Sequence, residues 1–417
     1  MEKFCKSVKM DCEEKLKRWL KRLLNMDKLE KYNFIIEDND DKCSGYMSRI
    51  FFITIKQRSG SPRLNLDLVV KIGTTVKTVG DTFKIDKFFL RENLMYNNIF
   101  PIFSKLEKEK NVDETFDSYP KYYGHLFLEN SQIIAFENIK KIGFKLCDRK
   151  KGMDLQHCKL VLKAYAQLHS LTFALKDQYL EIYNKLISET DDIFVDLMLS
   201  EHSKQYMQTQ RDEVLQCLKE HDENELYENY KNEFENIVDT CIAILLDKDD
   251  QVVFLHGDNW NNNFMFKYEE GAPAAVSIVD WQLSSIRSPV FDISRFLFSV
   301  CRKNELDKLR ELLKYYYDCF SDHLIKLGSD PEKLFSFSDF KRHWKKYSQF
   351  GIIGSSMTMK LAVLDETEAP SISQLECGID YNDTFNIVLS GKELYYQRMK
   401  DAVTAYYEMK NDVNFLD

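Results

Sequence analysis

Residues 254–264 read FLHGDNWNNNF, and the fold turns on how they are read. An apolar run, Val252 to Leu255, stops abruptly at His256-Gly257-Asp258, and three asparagines come next at 261–263. The run reads as a short buried strand. The residues after it read as a loop, because Gly and clustered Asn favour turns. Polar side chains at the end of a buried strand are costly unless they bind something. The loop is therefore either wired into its own backbone or is a site. Beyond it, "NFMFKY" and "AVSIVDW" flank "EEGAPA" and read as a hairpin. That hairpin carries Asp280 at a strand end, 22 residues after Asp258.

Working outward, residues 33–73 have a β pattern: "YNFIIE", "RIFFITIKQ" and "LDLVVKIG", the last two separated by the turn "SGSPR". A helix is expected from about Lys84 to Phe100, ending before Pro101. Two further β-like pieces, "PKYYGHLFLEN" and "SQIIAFENI", precede a chain that turns mostly helical after Gly143. The expected class is α+β with two lobes: a β-rich N-terminal lobe over residues 1–140 and a helical C-terminal lobe over 141–417.

Composition narrows the classes of function. Of 417 residues, 44% are hydrophobic and 30% charged, which describes a soluble globular protein. The net charge of −9 argues against nucleic acid or an anionic membrane as the main partner. Ten cysteines without a regular spacing read as reduced thiols of a cytoplasmic protein. No stretch approaches 18 apolar residues, so no membrane span is expected. No obligate protein partner is evident. Near the start, Leu16, Trp19, Leu20, Leu23 and Leu24 recur at helical spacing, with Asp11 and Glu14 placed as a capping box. The expectation is a helix docked on the lobe surface rather than on a membrane.

Candidate site residues come from four places. Asp258 and Asn263 share the loop, and Asp280 ends the hairpin, so two carboxylates and an amide converge. Such oxygen ligands suit Mg²⁺ held with substrate phosphates. Lys71 interrupts the apolar strand "LDLVVKIG"; Glu92 sits on the apolar face formed by Phe88, Phe89, Met95, Tyr96 and Ile99. Lys71 is its natural partner. Gly45 lies between two strand runs, where backbone N–H groups approach phosphates. Singly, each has a plain reading: a snorkelling lysine, a solvated glutamate, a helix-capping aspartate, an ordinary turn glycine. Their order along the chain repeats the protein-kinase plan in every part: glycine turn, strand Lys, helix Glu, H-G-D-x-x-x-x-N, hairpin, strand-end Asp.

"HGDNWNNN" resembles the loop of aminoglycoside and choline phosphotransferases. The longer pattern "FLHGDNWNNNFMFKY…VSIVDWQLSSIRSPVFDISRFLF" resembles the ecdysteroid 22-kinase-like, or choline-kinase-like, family of arthropods. Trp260, Asn262, Asn263, Met265, Phe266, Gln282, Ser284, Ser288, Pro289 and Asp292 match that pattern. "FENIKKIGFKLCDRKKGMD" and "LRENLMY" resemble its E-D-L…G-F…R segment and its helix glutamate. The likeness runs from about residue 35 to 365. Three departures stand out: Asn138 where an Asp is usual, Trp281 where a Phe is usual, and a glycine turn at 44–48 shorter than the usual G-x-N-x-x-S.

The resemblance implies a two-lobed kinase-like fold binding ATP and Mg²⁺. Asp258 would be the base, and Asn263 and Asp280 the metal ligands. Gly45, Lys71, Glu92, Glu137 and Ile139 would serve the nucleotide, with main chain near Glu137–Ile139 on the adenine edge. His256 is implied as a structural residue bonded to backbone near Asp280, and Asp292 as a support from the next helix. His169 reads as a packed core histidine. Only eleven residues separate Asp280 from Asp292 and no A-P-E appears, so a peptide substrate does not fit. The expected partner is a small-molecule alcohol acceptor, steroid-like or xenobiotic. It would be walled by the insert at about 186–247 and by the C-terminal helices with their aromatics "YYYDCF" and "FSFSDFKRHWKKYSQFG". Alternatives are a choline- or aminoglycoside-type kinase and a non-catalytic ATP-binding protein.

Overall fold

The computed structural model describes residues 14–38, 48–58, 65–73, 85–128, 131–365, 389, 391–412, 415 and 416. Gly45 and Asp11 lie outside these residues, and with them the glycine turn and the expected capping box.

The N-terminal part is a five-stranded antiparallel sheet, order β1-β2-β3-β5-β4. The strands are β1 (Tyr32–Asp38), β2 (Arg49–Gln57), β3 (Asn65–Ile72), β4 (Tyr122–Leu128) and β5 (Ser131–Glu137). Their period-2 alternation divides the sheet into two working faces. Phe51, Ile53 and Ile55 with Leu68, Val70 and Ile72 form one buried layer, covered by a helix at residues 14–23 (α1) through Leu16 and Leu20. The docked-helix reading of the leucine repeat describes this packing. The opposite face carries Val69 and Lys71 on the central strand, with Lys71 in register between Ile50 and Ile134.

Against that second face packs α2 (Ile85–Leu94), burying Ile85, Phe88, Phe89 and Glu92. The helix does not end before Pro101 as its sequence suggested. It passes through a π-helical turn, Met95–Ile99, into α3 (Phe100–Lys110), which has Pro101 in its first turn. A proline interrupts a helix because it lacks an N–H and its ring meets the carbonyl four residues back. The wider π turn just before it relieves that conflict.

The chain leaves the sheet at Glu137 through a 3₁₀ turn, Ile139–Ile142, and turns helical. The next helices are α4 (Leu155–Gln178), α5 (Leu180–Ser188), α6 (Ile193–Met198), α7 (Glu201–Glu220), α8 (Asn224–Glu233) and α9 (Ile237–Leu246). Then come β7 (Val253–Phe254), the hairpin β8 (Phe264–Glu269) and β9 (Ala272–Ile278), and β10 (Ile286–Arg287). A short β6 (Lys145–Leu146) adds a third strand beside β8, and β7 pairs with β10. The chain continues with α10 (Val290–Val300), α11 (Lys303–Leu306), α12 (Leu309–Lys326), α13 (Pro331–Leu334), α14 (Phe337–Val363) and α15 (Lys392–Asn411). The architecture is α+β, sheet first and helices after. No helix among the described residues is long and apolar enough to cross a membrane.

Two glycines fix how α14 crosses α10. A Cβ on Gly351 would stand 2.5 Å from the Ser294 backbone carbon, and one on Gly354 would stand 3.1 Å from Cδ of Arg295. At Gly351 the helix meets the α10 backbone, and at Gly354 it meets the Arg295 side chain, because neither position carries a side chain. The aromatics of "YYYDCF" and "FSFSDFKRHW" are core: Tyr316, Phe320, Phe335 and Phe340 are fully buried and pack ring on ring.

Candidate active site

The loop of residues 256–263 is held from three directions. β7 ends at Phe254, and the Leu255 N–H reaches Ser285 O, 2.8 Å away. Gly257 has φ +85°, and a Cβ there would stand 2.2 Å from the carbonyl oxygen of Leu283, so no side chain fits. Asp292, in the first turn of α10 and fully buried, accepts from the N–H of His256 (2.8 Å), the N–H of Gly257 (3.0 Å) and Nδ2 of Asn259 (2.8 Å). His169 reaches the same carboxylate at 3.3 Å and Tyr316 at 2.9 Å. It is therefore wired into the loop rather than merely packed in the core. Burial pushes the Asp292 carboxyl up, but the hydrogen bonds from His169 and Asn259 and the nearness of the two histidines outweigh this and leave it below the ordinary range.

His256 donates from Nε2 to Val279 O at 3.0 Å, which sets its tautomer, and its ring stands edge-on to Trp281 at 4.8 Å. It thus braces the loop against the end of β9, one residue before Asp280. Asp280 itself adopts φ +65°, a left-handed conformation that Asp tolerates and that turns its carboxylate away from the strand direction.

Lys71 Nζ lies 2.8 Å from Glu92 Oε2, 2.6 Å from Asp280 Oδ1 and 3.3 Å from Gln282 Oε1. Three elements distant in sequence meet at this one ammonium. Burial opposes its charge, but Asp280 and Glu92 raise its pKa above the ordinary lysine value. Burial first, and then Asp280, push the Glu92 carboxyl up against the pull of Lys71. One cation serves two carboxylates here, so a further cation would relieve the excess. Asp258 Oδ2 accepts from Asn263 Nδ2 at 2.7 Å, and the same nitrogen donates to Asp258 O at 2.9 Å. Both bonds use the amide nitrogen, leaving Oδ1 of Asn263 to accept a cation. With the carboxylate of Asp280 this makes a hard-oxygen pair of the kind Mg²⁺ accepts when phosphates complete its shell. Among the described residues no group of three or more His, Cys, Asp or Glu side chains could hold a metal by itself.

These groups line one cavity of about 330 Å³. At its sheet end stand Ile50, Phe52, Val69, Phe136, Glu137 and Ile139. The N–H groups of Glu137 and Asn138 turn inward, to Lys121 O and Asp67 O. Ile139 opens the 3₁₀ turn, where an N–H has no partner within the turn. At the far end stand Phe194, Met198, Met207, Phe350, Ile353 and Met357 from α6, α7 and α14. Of the aromatics singled out in the C-terminal helices, Phe350 alone lines it; the others are held in the core. Asp258 lies between the two ends. Burial raises its carboxyl above the ordinary range, against the pull of Arg295.

The structure therefore brings Lys71, Glu92, Asp258, Asn263 and Asp280 together, with Glu137 and Ile139 at the rim. Sequence reasoning missed two residues. Arg295 reaches the loop from α10, donating from one Nη to Gly257 O at 3.1 Å, with the other Nη 3.8 Å from Asp258 Oδ1. Arg91 on α2 donates to Ser284 O and to Asp191 O, tying the Glu92 helix to the segment after the hairpin and to the helical insert. Arg295 lies three residues after Asp292, on the same helical face; that spacing was the available signal.

Comparison with solved structures finds the GDP complex of wild-type aminoglycoside 2'-phosphotransferase-IIIa, 9% identical, covering 89% of this chain and 93% of that one with TM-score 0.41. It also finds the GDP and kanamycin complex of APH(2")-IIia, 11% identical, with the same coverages and TM-score 0.43. No curated protein matches the sequence. The ecdysteroid kinase-like family matches residues 42–329, more than half of the length and including Lys71, Glu92, Asp258, Asn263 and Asp280, and the chain belongs to that family.

Proposed function

We propose that the protein transfers the γ-phosphate of ATP to a hydroxyl of a small, largely apolar acceptor, steroid-like or xenobiotic. Membership of the family supports a small-molecule kinase. The observation that carries the finer reading is the meeting of Lys71, Glu92 and Asp280 in the same cavity as Asp258 and Asn263. Phosphoryl transfer is mostly positioning and charge stabilisation, and these are the groups it needs.

In this reading the adenine edge lies against the Ile139 N–H and the Glu137 carbonyl. Lys71, oriented by Glu92, binds the α- and β-phosphates. Asn263 and Asp280 would hold Mg²⁺, which would supply neutralisation of phosphate charge. Asp258 accepts the proton of the acceptor hydroxyl as its oxygen bonds to the γ-phosphorus, and ADP leaves. The raised pKa of Asp258 suits a base, since proton transfer is most effective when the acceptor is not too weak. His256 and Asp292 keep the loop in place.

The test is ATP consumption measured against hydroxysteroids, plant glycosides and amino alcohols. Acceptor-stimulated turnover with a steroid or glycoside is the expected result. Turnover with amino alcohols alone would replace this reading with a choline-type kinase. ATP binding without turnover on any acceptor would favour a non-catalytic ATP-binding protein.

A further inference from the structure

Arg295 is a buried cation whose hydrogen bonding is incomplete. Its side chain is 9% exposed and lines the cavity. One Nη donates to Gly257 O, the other stands 3.8 Å from Asp258, beyond hydrogen-bond range, and Nε has no partner. A guanidinium carries five N–H donors, so most of its fork is unsatisfied in a place where that is costly. Burial also works against its charge, and Asp258 and Asp292 only partly compensate.

Its position says what could complete it. Arg295 stands 3.8 Å from Asp258, and the cavity lining on α14 and α9 is mostly apolar, with Phe350, Ile353 and Gly354 on α14 and Cys241 on α9. The cavity's carboxylates are Glu92, Glu137, Asp258 and Asp280, at the sheet end and the catalytic loop. Apart from Asp258, that end of the cavity offers a cationic acceptor no carboxylate. Gly354 contributes directly: a Cβ there would stand 3.3 Å from Nε, so the missing side chain lets α14 close over the buried Nε edge and leaves the Nη side of the fork as the one a ligand would reach.

We infer that Arg295 is a specificity-determining residue that binds a carboxylate of an apolar, hydroxylated acceptor, beside the hydroxyl that faces Asp258. The substrate class is a hydroxylated hydrocarbon acid, held by its body on the apolar wall and by its carboxylate on the fork. Guanidinium and carboxylate match as a bidentate pair, which sets orientation as well as affinity. Amines are excluded because they would meet Arg295 with like charge. This inference rests on the kinase reading, because it takes Asp258 as the group facing the hydroxyl.

The experiment uses the full chain with MgADP and two hydroxylated bodies, cholate and 12-hydroxydodecanoate. Each is offered as carboxylate, methyl ester and amine, below micelle-forming concentrations, with Kd measured by calorimetry. At least one body is expected to bind as carboxylate about ten- to a hundred-fold tighter than as amine, with the ester between, as for a hydrogen bond to a charged group. Arg295→Met should bring the three forms within about two-fold of each other, and Arg295→Lys should keep part of the preference. The ranking on the wild-type chain tests the idea even if Arg295→Met does not fold. Equal or tighter binding of the amines, no binding of either body, or an unchanged ratio in Arg295→Met overturns it. A loss of MgATP affinity in Arg295→Met with the carboxylate-to-amine ratio unchanged also overturns it, and assigns Arg295 to the nucleotide. Failure of the wild-type chain to bind MgATP, read in the same instrument, would instead remove the kinase reading.

Discussion

At the scale of single residues, Asp258 and His256 sit two apart in one loop and do different work. Asp258 borders the cavity and is bonded to Asn263, whereas His256 is fully buried and bonded to Val279 O. Asp258→Asn keeps the shape and removes most of the proton acceptance, worth on the order of 10²–10⁴ in rate. The variant is expected to bind MgATP about as well as the native chain and to turn over slower by that factor. His256→Ala leaves the Val279 carbonyl without its donor and opens a space against Trp281, so it should lose stability and activity together. Urea denaturation beside acceptor-dependent turnover separates the two. Near-normal turnover in Asp258→Asn, on an acceptor shown to be phosphorylated at a hydroxyl, would remove Asp258 from the mechanism.

At the scale of elements, the site depends on how closely α10 approaches its neighbours. That helix carries both Asp292, which gathers the loop's N–H groups, and Arg295, which takes a loop carbonyl. α14 presses it into place, and Gly351 is where the backbones meet. Gly351→Ala would put a methyl 2.5 Å from the Ser294 backbone, which cannot swing aside. The expected cost is about 1–3 kcal/mol, the usual range for overpacking, or more if the helix has to shift. Gly354→Ala meets only the flexible Arg295 side chain, at 3.1–3.4 Å, and should cost less. Chemical denaturation of the two variants checks the order, and a milder Gly351→Ala would show that the crossing can open without loss. The α2 helix offers the opposite lesson. Its buried stripe was visible in the sequence, but Pro101 reads as a stop because a proline is normally incompatible with the turn before it. The π turn at Met95–Ile99 lets the helix continue.

At the scale of the whole molecule, the cavity joins the sheet to the helical part through Lys71, Glu92 and Asp280. A ligand that binds the folded state alone stabilises it by mass action, about 2.7 kcal/mol at a hundred times its Kd. MgATP is therefore expected to raise Tm, and more than ATP with chelator does. Asp280→Ala should abolish most of the difference between the two, because it removes the carboxylate of the proposed metal pair. A thermal shift identical with and without chelator, in both native and variant chains, would sink the metal assignment.

The α+β class, the strand runs, the hairpin before Asp280 and the family were legible in the sequence because they rest on local pattern. Period-2 alternation declares a strand, Gly and Asn declare a turn, and H-G-D-x-W-x-N-N is specific enough to stand alone. Lys71 and Glu92 were legible for a related reason: a charge in an apolar run must find a partner, and each lacked one nearby. Arg295 carried a weaker mark: in "FDISRFLF" it also interrupts an apolar run, but Asp292 three residues before it reads as a sufficient partner on the same helix. The tertiary structure turned it inward, because Gly351 and Gly354 let α14 close over it. The elements at the cavity's far end were legible, since the insert at about 186–247 and the C-terminal helices were expected there; the side chains that face it were not. Of the aromatics that drew attention only Phe350 faces the cavity, and the rest of that end is made of unremarkable apolar residues of α6, α7 and α14. Which apolar side chain faces a cavity and which faces the core depends on how helices cross. That is fixed by packing between segments far apart in the chain, not by any period within one.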